Sequence, residues 1–185
     1  HLMQPIDVGS SKQLFVDDKF VASSRGVEFV MNPPYAFPDP VLTPEAPWED
    51  PPTMSFGIYN SVLQEEDGRI RIWYSIRSEG EPGEGLQKDH VGYAESTDGI
   101  HFERPELGLV EHDGSTANNI TMPGKLGGTA IWIDPNAPPE ERYKNQCKVY
   151  NPDVARQLHM HGSPDGINWT FLRRIQFKWR GGWDT

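Results

Sequence analysis

An all-β fold built from repeated four-stranded antiparallel units is the architecture this sequence predicts, and three observations predict it. Helix signals are nearly absent: 17 prolines and 18 glycines interrupt the 185 residues, and no long segment keeps apolar residues at helical spacing. Short runs of β-branched and aromatic residues recur between turn residues, as strands require. One segment, Ser-x-Asp-Gly-Ile-x-aromatic, occurs twice, at Ser96 to Phe102 and at Ser163 to Trp169.

Taken in order, Leu14-Phe15-Val16, the pair Asp17-Asp18, and Phe20-Val21 predict a short hairpin, and Val27 to Met31 a further strand. From Asn32 to Pro52 eight prolines favour an extended path without ladder pairing, a connector. Gly57 to Gln64 and Arg69 to Ile76 flank Glu65-Glu66-Asp67-Gly68, where Asp-Gly supplies the positive φ of a tight hairpin. After a polar loop, His90 to Glu95 is a third strand, and the Ser96 to Gly99 turn leads to a fourth at Ile100 to Phe102. The order repeats after Gly127-Gly128 with strands at Thr129 to Asp134, Arg142 to Tyr150, Gln157 to His161 and Ile167 to Arg173. Gly181-Gly182 opens a third unit. Asp98 and Asp165 lie 67 residues apart, one four-stranded unit per repeat, which is the mark of a β-propeller. The expected boundaries are 1–52 for the N-terminal strands and connector, 53–123 for the first blade, 124–180 for the second and 181–185 for the start of a third.

In the repeated turn, serine and aspartate oxygens accept backbone N–H groups while glycine takes the left-handed conformation, and the following aromatic, Phe102 or Trp169, packs between blades. It is a structural device.

Composition excludes several classes. With 17 basic and 27 acidic residues the net charge is -10, which repels phosphate backbones and anionic lipid, so nucleic acid and membrane are not expected partners. No apolar run approaches the roughly 20 residues that span a bilayer. Cys147 stands alone and reads as a small buried hydrophobe. The first five residues lack the basic and apolar regions of a signal peptide. A periplasmic or secreted location is expected, and the single cysteine is also compatible with cytoplasm.

Asp39-Pro40-Val41-Leu42-Thr43-Pro44 with Trp48, then Ile58 to Leu63, Ile72-Trp73-Tyr74-Ser75 and Val91 to Phe102, taken in that order, resemble the opening blade of five-bladed propeller glycosidases. The families resembled are glycoside hydrolases 32, 43 and 68 and the mannoside phosphorylases of family 130, over residues 39 to the end. The resemblance implies an oligo- or polysaccharide substrate and a pair of carboxylates, one nucleophile or base and one general acid. It calls for no cofactor and leaves room for a structural calcium ion. A complete ring needs more blades, so the remainder lies on another chain or outside this sequence.

Matching Val62-Leu63-Gln64 to Trp132-Ile133-Asp134, and Gly128 to Gly182, sets Asn60, Ala130 and Asp184 at one channel-facing position. Asp184 is the carboxylate among them and the first catalytic candidate, against a turn residue. Glu49 and Asp50, just before the first inner strand, are candidates for the second acid, against a solvated loop. Asp39 stands where a family 43 base is sought, against a Pro38-Asp39-Pro40 turn. Asp134 precedes Pro135 at a hairpin tip and reads as structural. Where family 130 carries Glu-Asp, this chain has Thr129-Ala130, a departure from the phosphorylases. Asn60, Trp48, Arg77, His90 and Trp183 are expected to bind substrate, the tryptophans by stacking on a sugar face. His159 and His161 share one strand face and read as packing residues in the absence of a third ligand. Two other classes fit the same blades: a non-catalytic carbohydrate-binding or scaffold propeller, which keeps the blades and lacks the acids, and a sialidase-like enzyme, which needs an arginine cluster beyond Arg77.

Overall fold

Eight strands carry the fold of the computed structural model, which describes residues 6–10, 13–49, 55–77, 90–122, 126–151 and 155–175. They are β1 (Ser55–Gln64), β2 (Ile70–Arg77), β3 (His90–Ser96), β4 (Ile120–Met122), β5 (Leu126–Ile133), β6 (Tyr143–Asn151), β7 (Ala155–Ser163) and β8 (Thr170–Ile175), with one 3₁₀ turn at Pro139–Glu141. Two four-stranded antiparallel sheets result, in the orders β1-β2-β3-β4 and β5-β6-β7-β8. Each runs up and down in chain order, and β1 of the first lies beside β5 of the second. That is the arrangement of two neighbouring propeller blades with their inner strands adjacent. The chain falls into two compact units, His1–Phe37 and Pro38–Thr185, and both sheets belong to the second.

Two expected outer strands shift. The fourth strand of blade 1 is Ile120–Met122, not Ile100 to Phe102. The Asp98 carboxylate accepts the Ile100 and His101 N–H groups, both at 2.8 Å, which ties those residues to the turn and takes their donors from any ladder. In blade 2 the Asp165 carboxylate does the same to Ile167 and Asn168, so β8 begins at Thr170. The expected strands at Leu14 to Val21 and Val27 to Met31 do not form. Asp17 and Asp18 instead build a turn, accepting the N–H groups of Lys19 at 3.0 Å and Val21 at 2.9 Å, and most apolar side chains of this region are exposed.

The blade interface holds the main core: Trp73, Val91, Tyr93 and Met122 of blade 1 meet Ile131, Tyr143 and Cys147 of blade 2, with Ile167 and Trp169 packed against them. Aromatic burial on this scale dominates the cohesion of the two sheets. A second cluster, Ile72, Tyr74, Ile76 and Ala94, lies on the opposite face of blade 1 and is covered by Leu42 and Trp48 of the connector and by Phe102. Blade 1 is thus a sheet buried on both faces, which its unbroken apolar run Ile72-Trp73-Tyr74 requires.

Candidate functional site

The inner strands β1 and β5 run beside one another. Along β1, Asn60, Val62 and Gln64 are exposed while Ser61 and Leu63 are half-buried, the strict alternation of a strand. Ser61 joins the blades: its Oγ accepts the Ile131 N–H at 2.8 Å. Both inner strands carry a bulge near their starts, between Phe56 and Asn60 in β1 and between Gly127 and Thr129 in β5. Gln64 pairs with Ile70 and Ile133 with Tyr143, while Ile70 and Tyr143 pair with the serines that open the two repeated turns. This register makes Thr129, not Ala130, the counterpart of Asn60, each being the first paired residue after its bulge. The sequence blocks therefore matched one residue out of step, and a one-residue slip moves a side chain to the other face of the sheet.

Glu49, a catalytic candidate from sequence, is fully buried. One carboxylate oxygen accepts the N–H groups of Glu45 at 3.1 Å and Ala46 at 3.2 Å. The other accepts the Tyr74 hydroxyl and Arg104 Nε, the latter at 3.0 Å. Asn119 extends the network by donating to the Tyr74 hydroxyl at 2.6 Å and accepting Trp48 Nε1 at 2.8 Å. Burial, followed by the charge of Glu49, drives the Tyr74 hydroxyl well above its ordinary pKa, so tyrosine holds its proton and Glu49 accepts it. All the lone-pair directions of Glu49 that matter are in use, and the connector is fastened to blade 1 by them. Trp48 takes part in this anchor through its indole N–H and packs on the second core cluster, which occupies one side of the ring.

Of the remaining candidates, Asp39 is exposed. His90, on β3 opposite Ile76, packs edge-on against His112 with ring centroids 5.3 Å apart. Burial, with the neighbouring His112, lowers the His90 pKa to about 4, so the ring is neutral at physiological pH. Asp50, Trp183, Asp184 and the side chain of Arg77 lie outside the described residues. Asp134 caps its own turn by accepting the Asn136 N–H at 3.0 Å. His159, His161 and Phe171 form a cluster of three rings, with centroids 5.0, 5.7 and 6.2 Å apart, and burial lowers both histidine pKa values. His161 Nδ1 lies 3.7 Å from Cys147 Sγ, and burial pushes that thiol up to about 12. Among the described residues no group of three or more His, Cys, Asp and Glu side chains is placed to hold a metal ion.

Sequence reasoning missed the group that locks the blades together. Arg71 of β2 donates through Nε to the Tyr93 hydroxyl at 2.7 Å, through Nη1 to Glu65 at 3.0 Å, and through Nη2 to the Asp165 carbonyl at 2.6 Å. Its guanidinium lies 4.8, 5.0 and 5.2 Å from the rings of Trp73, Tyr93 and Tyr143. Trp73 Nε1 donates to the Gly166 carbonyl at 2.7 Å. Burial alone would raise the Glu65 carboxyl, yet hydrogen bonds from Tyr143 and Arg71 hold it below its ordinary value. The signal was available: Arg71 is a charge inside the apolar strand Ile70 to Ile76, and such a charge needs buried partners. A hollow of about 490 Å³ opens at the outer edge of the interface, between Val110, Thr121, Ile167 and Trp169, away from the inner strands.

No protein-family model matches the chain, and no curated protein matches it by sequence. Solved structures similar to it include a glycosyl hydrolase from Bacteroides ovatus, at 20% identity and TM-score 0.46, over 67% of this chain and 32% of that one. A GH32 β-fructofuranosidase from Bombyx mori is similar at 15% identity and TM-score 0.44, over 65% of this chain and 23% of that one. A third comes from work on the GH130 family of mannoside phosphorylases, described as containing glycoside hydrolases that target β-1,2-mannosidic linkages in Candida mannan. It shares 22% identity at TM-score 0.40, over 62% of this chain and 32% of that one. The chain therefore spans a third or less of the length of each.

Proposed function

We propose that this chain is part of a carbohydrate-active β-propeller that cleaves glycosidic bonds with paired carboxylates, Asp50 and, on the match of Gly182 to Gly128 alone, Asp184. The observation that carries this is the fastening of Glu49. Its carboxylate is committed to Tyr74, Arg104 and two backbone N–H groups, so of the adjacent acids at the entry to β1 it is Asp50 that is left for chemistry. Glu49 holds the connector beside it. Asn60, exposed at the bulge of the inner strand, is the hydrogen-bonding partner for a sugar hydroxyl. The ordered motifs of the opening blade support a saccharide substrate, on the resemblance stated above.

The test is hydrolysis and phosphorolysis of an oligosaccharide panel by the longest polypeptide that carries this chain. Asp50→Asn and Asp184→Asn are each expected to slow turnover by about 10²-fold or more, the usual worth of a positioned acid or base, while the melting temperature holds. Unchanged turnover in both variants would remove these two residues from the mechanism. Saccharide binding by calorimetry without any bond cleavage would instead establish the non-catalytic binding propeller, which the same blades accommodate.

A further inference from the structure

The hollow at the outer edge of the blade interface, about 490 Å³, falls in the size range of small-molecule sites. One wall is Leu109, Val110 and Glu111 with Thr121 of β4. The other is the end of the Ser163 turn, where Asn168 and Trp169 lead into Thr170 of β8. β4 and β8 are the outermost strands of their sheets, so the hollow lies between the two blades at the rim. A further blade stacks on the far face of blade 2, a different surface.

Both walls are braced within the protein. Asn118, which is 2% exposed, donates through Nδ2 to the Val110 carbonyl at 2.7 Å, and its own carbonyl accepts the Leu107 N–H at 2.8 Å. Across the hollow the Asp165 carboxylate holds Asn168 by its backbone N–H at 2.8 Å and by Nδ2 at 2.7 Å, which leaves Asn168 Oδ1 as an acceptor. Walls fixed in this way lose little conformational freedom when a ligand enters.

The lining also selects by charge. It contains no Lys, Arg or His, so it offers no cation to a phosphate, sulfate or carboxylate. Glu111 is its single carboxylate, where a calcium ion takes about six to eight oxygen ligands. What suits the hollow is a neutral molecule with both hydroxyls and an apolar face. Glu111 and Asn168 Oδ1 accept hydroxyl protons, and Thr170 can donate or accept. Leu109, 43% exposed, and Trp169, whose ring packs in part on the interface core, supply apolar surface. The Trp169 Nε1–H is buried and has no acceptor among the described residues, an unmet donor that calls for a water or a ligand oxygen.

We propose that this hollow is a saccharide-binding site, separate from the carboxylate pair, that takes a neutral oligosaccharide by hydroxyl hydrogen bonds to Glu111 and Asn168 and by contact of a sugar face with Trp169. It rests on the reading above only for the class of polymer the protein meets. A polysaccharide held at the rim is tethered to the molecule that cleaves it elsewhere.

Fluorine NMR of the longest polypeptide that carries this chain, labelled with fluorotryptophan, tests this in the Asp50→Asn, Asp184→Asn background, where nothing is cleaved. The Trp169 resonance is assigned by its loss in Trp169→Phe. The probes are cellohexaose, xylohexaose, laminarihexaose and mannohexaose, with a sulfated carrageenan oligosaccharide as the anionic control. At least one neutral probe is expected to shift the Trp169 resonance saturably, and the sulfated one to leave it in place. Glu111→Ala and Thr170→Arg, both at exposed positions, are each expected to weaken the affinity read from that resonance about tenfold or more, with melting temperatures unchanged. A Trp169 resonance that no neutral probe moves overturns the proposal. So does full affinity in both variants, or equal binding of the sulfated probe. Binding at Trp169 with no cleavage by the otherwise unaltered protein would sink the paired carboxylates and leave this site standing.

Discussion

The two Ser-x-Asp-Gly turns have the same sequence pattern and the same internal hydrogen bonds, yet they do different work. The turn at Ser163 is clamped: its Asp165 and Gly166 carbonyls accept Arg71 and Trp73 of the neighbouring blade. The turn at Ser96 caps its own strand end, with Asp98 bound to His101 at 2.7 Å on an exposed surface. A motif that closes a hairpin thus becomes an interface only where the preceding blade supplies donors. The energetic weight of the repeat therefore lies with Arg71 and Trp73, outside the motif itself.

The strongest way to break this contrast is Arg71→Ala. It removes a buried cation, leaves Glu65 buried with the Tyr143 hydroxyl and without its guanidinium, and strands the Asp165 carbonyl, so a loss of about 3–5 kcal/mol in urea unfolding is expected. Lys144→Ala, at the matching position on blade 2, is expected to cost less than about 1 kcal/mol, since it pairs with the partly exposed Glu141. Equal losses would mean that the clamp does not distinguish the two turns.

A finer test substitutes the two turn glycines. Both have left-handed backbone, φ 75° at Gly99 and 73° at Gly166, so alanine is strained by about 1–2 kcal/mol at either. Only at Gly166 does the added Cβ also meet the clamp, 2.8 Å from Trp73 Cζ2 and 3.2 Å from Arg71 Nη1. At Gly99 the nearest atom is the mobile end of Ile70, at 3.0 Å. Gly166→Ala is therefore expected to destabilise by about 1–3 kcal/mol more than Gly99→Ala, measured by thermal melting of both variants.

The parts of this fold that are legible in sequence are those set by local chemistry. Asp67-Gly68 announces the β1–β2 hairpin, and the repeated turns announce the ends of β3 and β7. The outer strands are less legible, because Asp98 and Asp165 divert the residues just after each glycine into the turn: β8 starts three residues later than expected, and β4 lies elsewhere altogether. β4 follows a long loop and has three residues, too few to show a period. The inner-strand register is hidden by the bulges, which shift the chain by a residue without changing its composition. Among candidate site residues, Glu49 is conspicuous as an acid beside a tryptophan, but its side-chain partners Tyr74 and Arg104 lie 25 and 55 residues away, beyond any sequence window.

The smallest effect contrasts the histidine pairs. On blade 1, His90 is neutral with its pKa lowered from 6.5 to about 4 by burial and by His112; on blade 2, His159 and His161 are lowered as well. Between the folded and unfolded values the unfolded chain binds more protons, so stability falls as pH drops from 6.5 towards 4 and levels off below. For His90 the loss is on the order of 2 kcal/mol, discounted because the ring is only half-buried. The carboxylates held low, Glu65, Asp98 and Asp165, lose their contribution only as pH falls below their ordinary values of 4.5 and 3.8, so the window above 4.5 isolates the histidines. His90→Gln is expected to flatten the decline in urea midpoint between pH 6.5 and 5 without abolishing it, since His159 and His161 keep the remainder. A slope unchanged by His90→Gln would place the whole acid sensitivity of this window on blade 2.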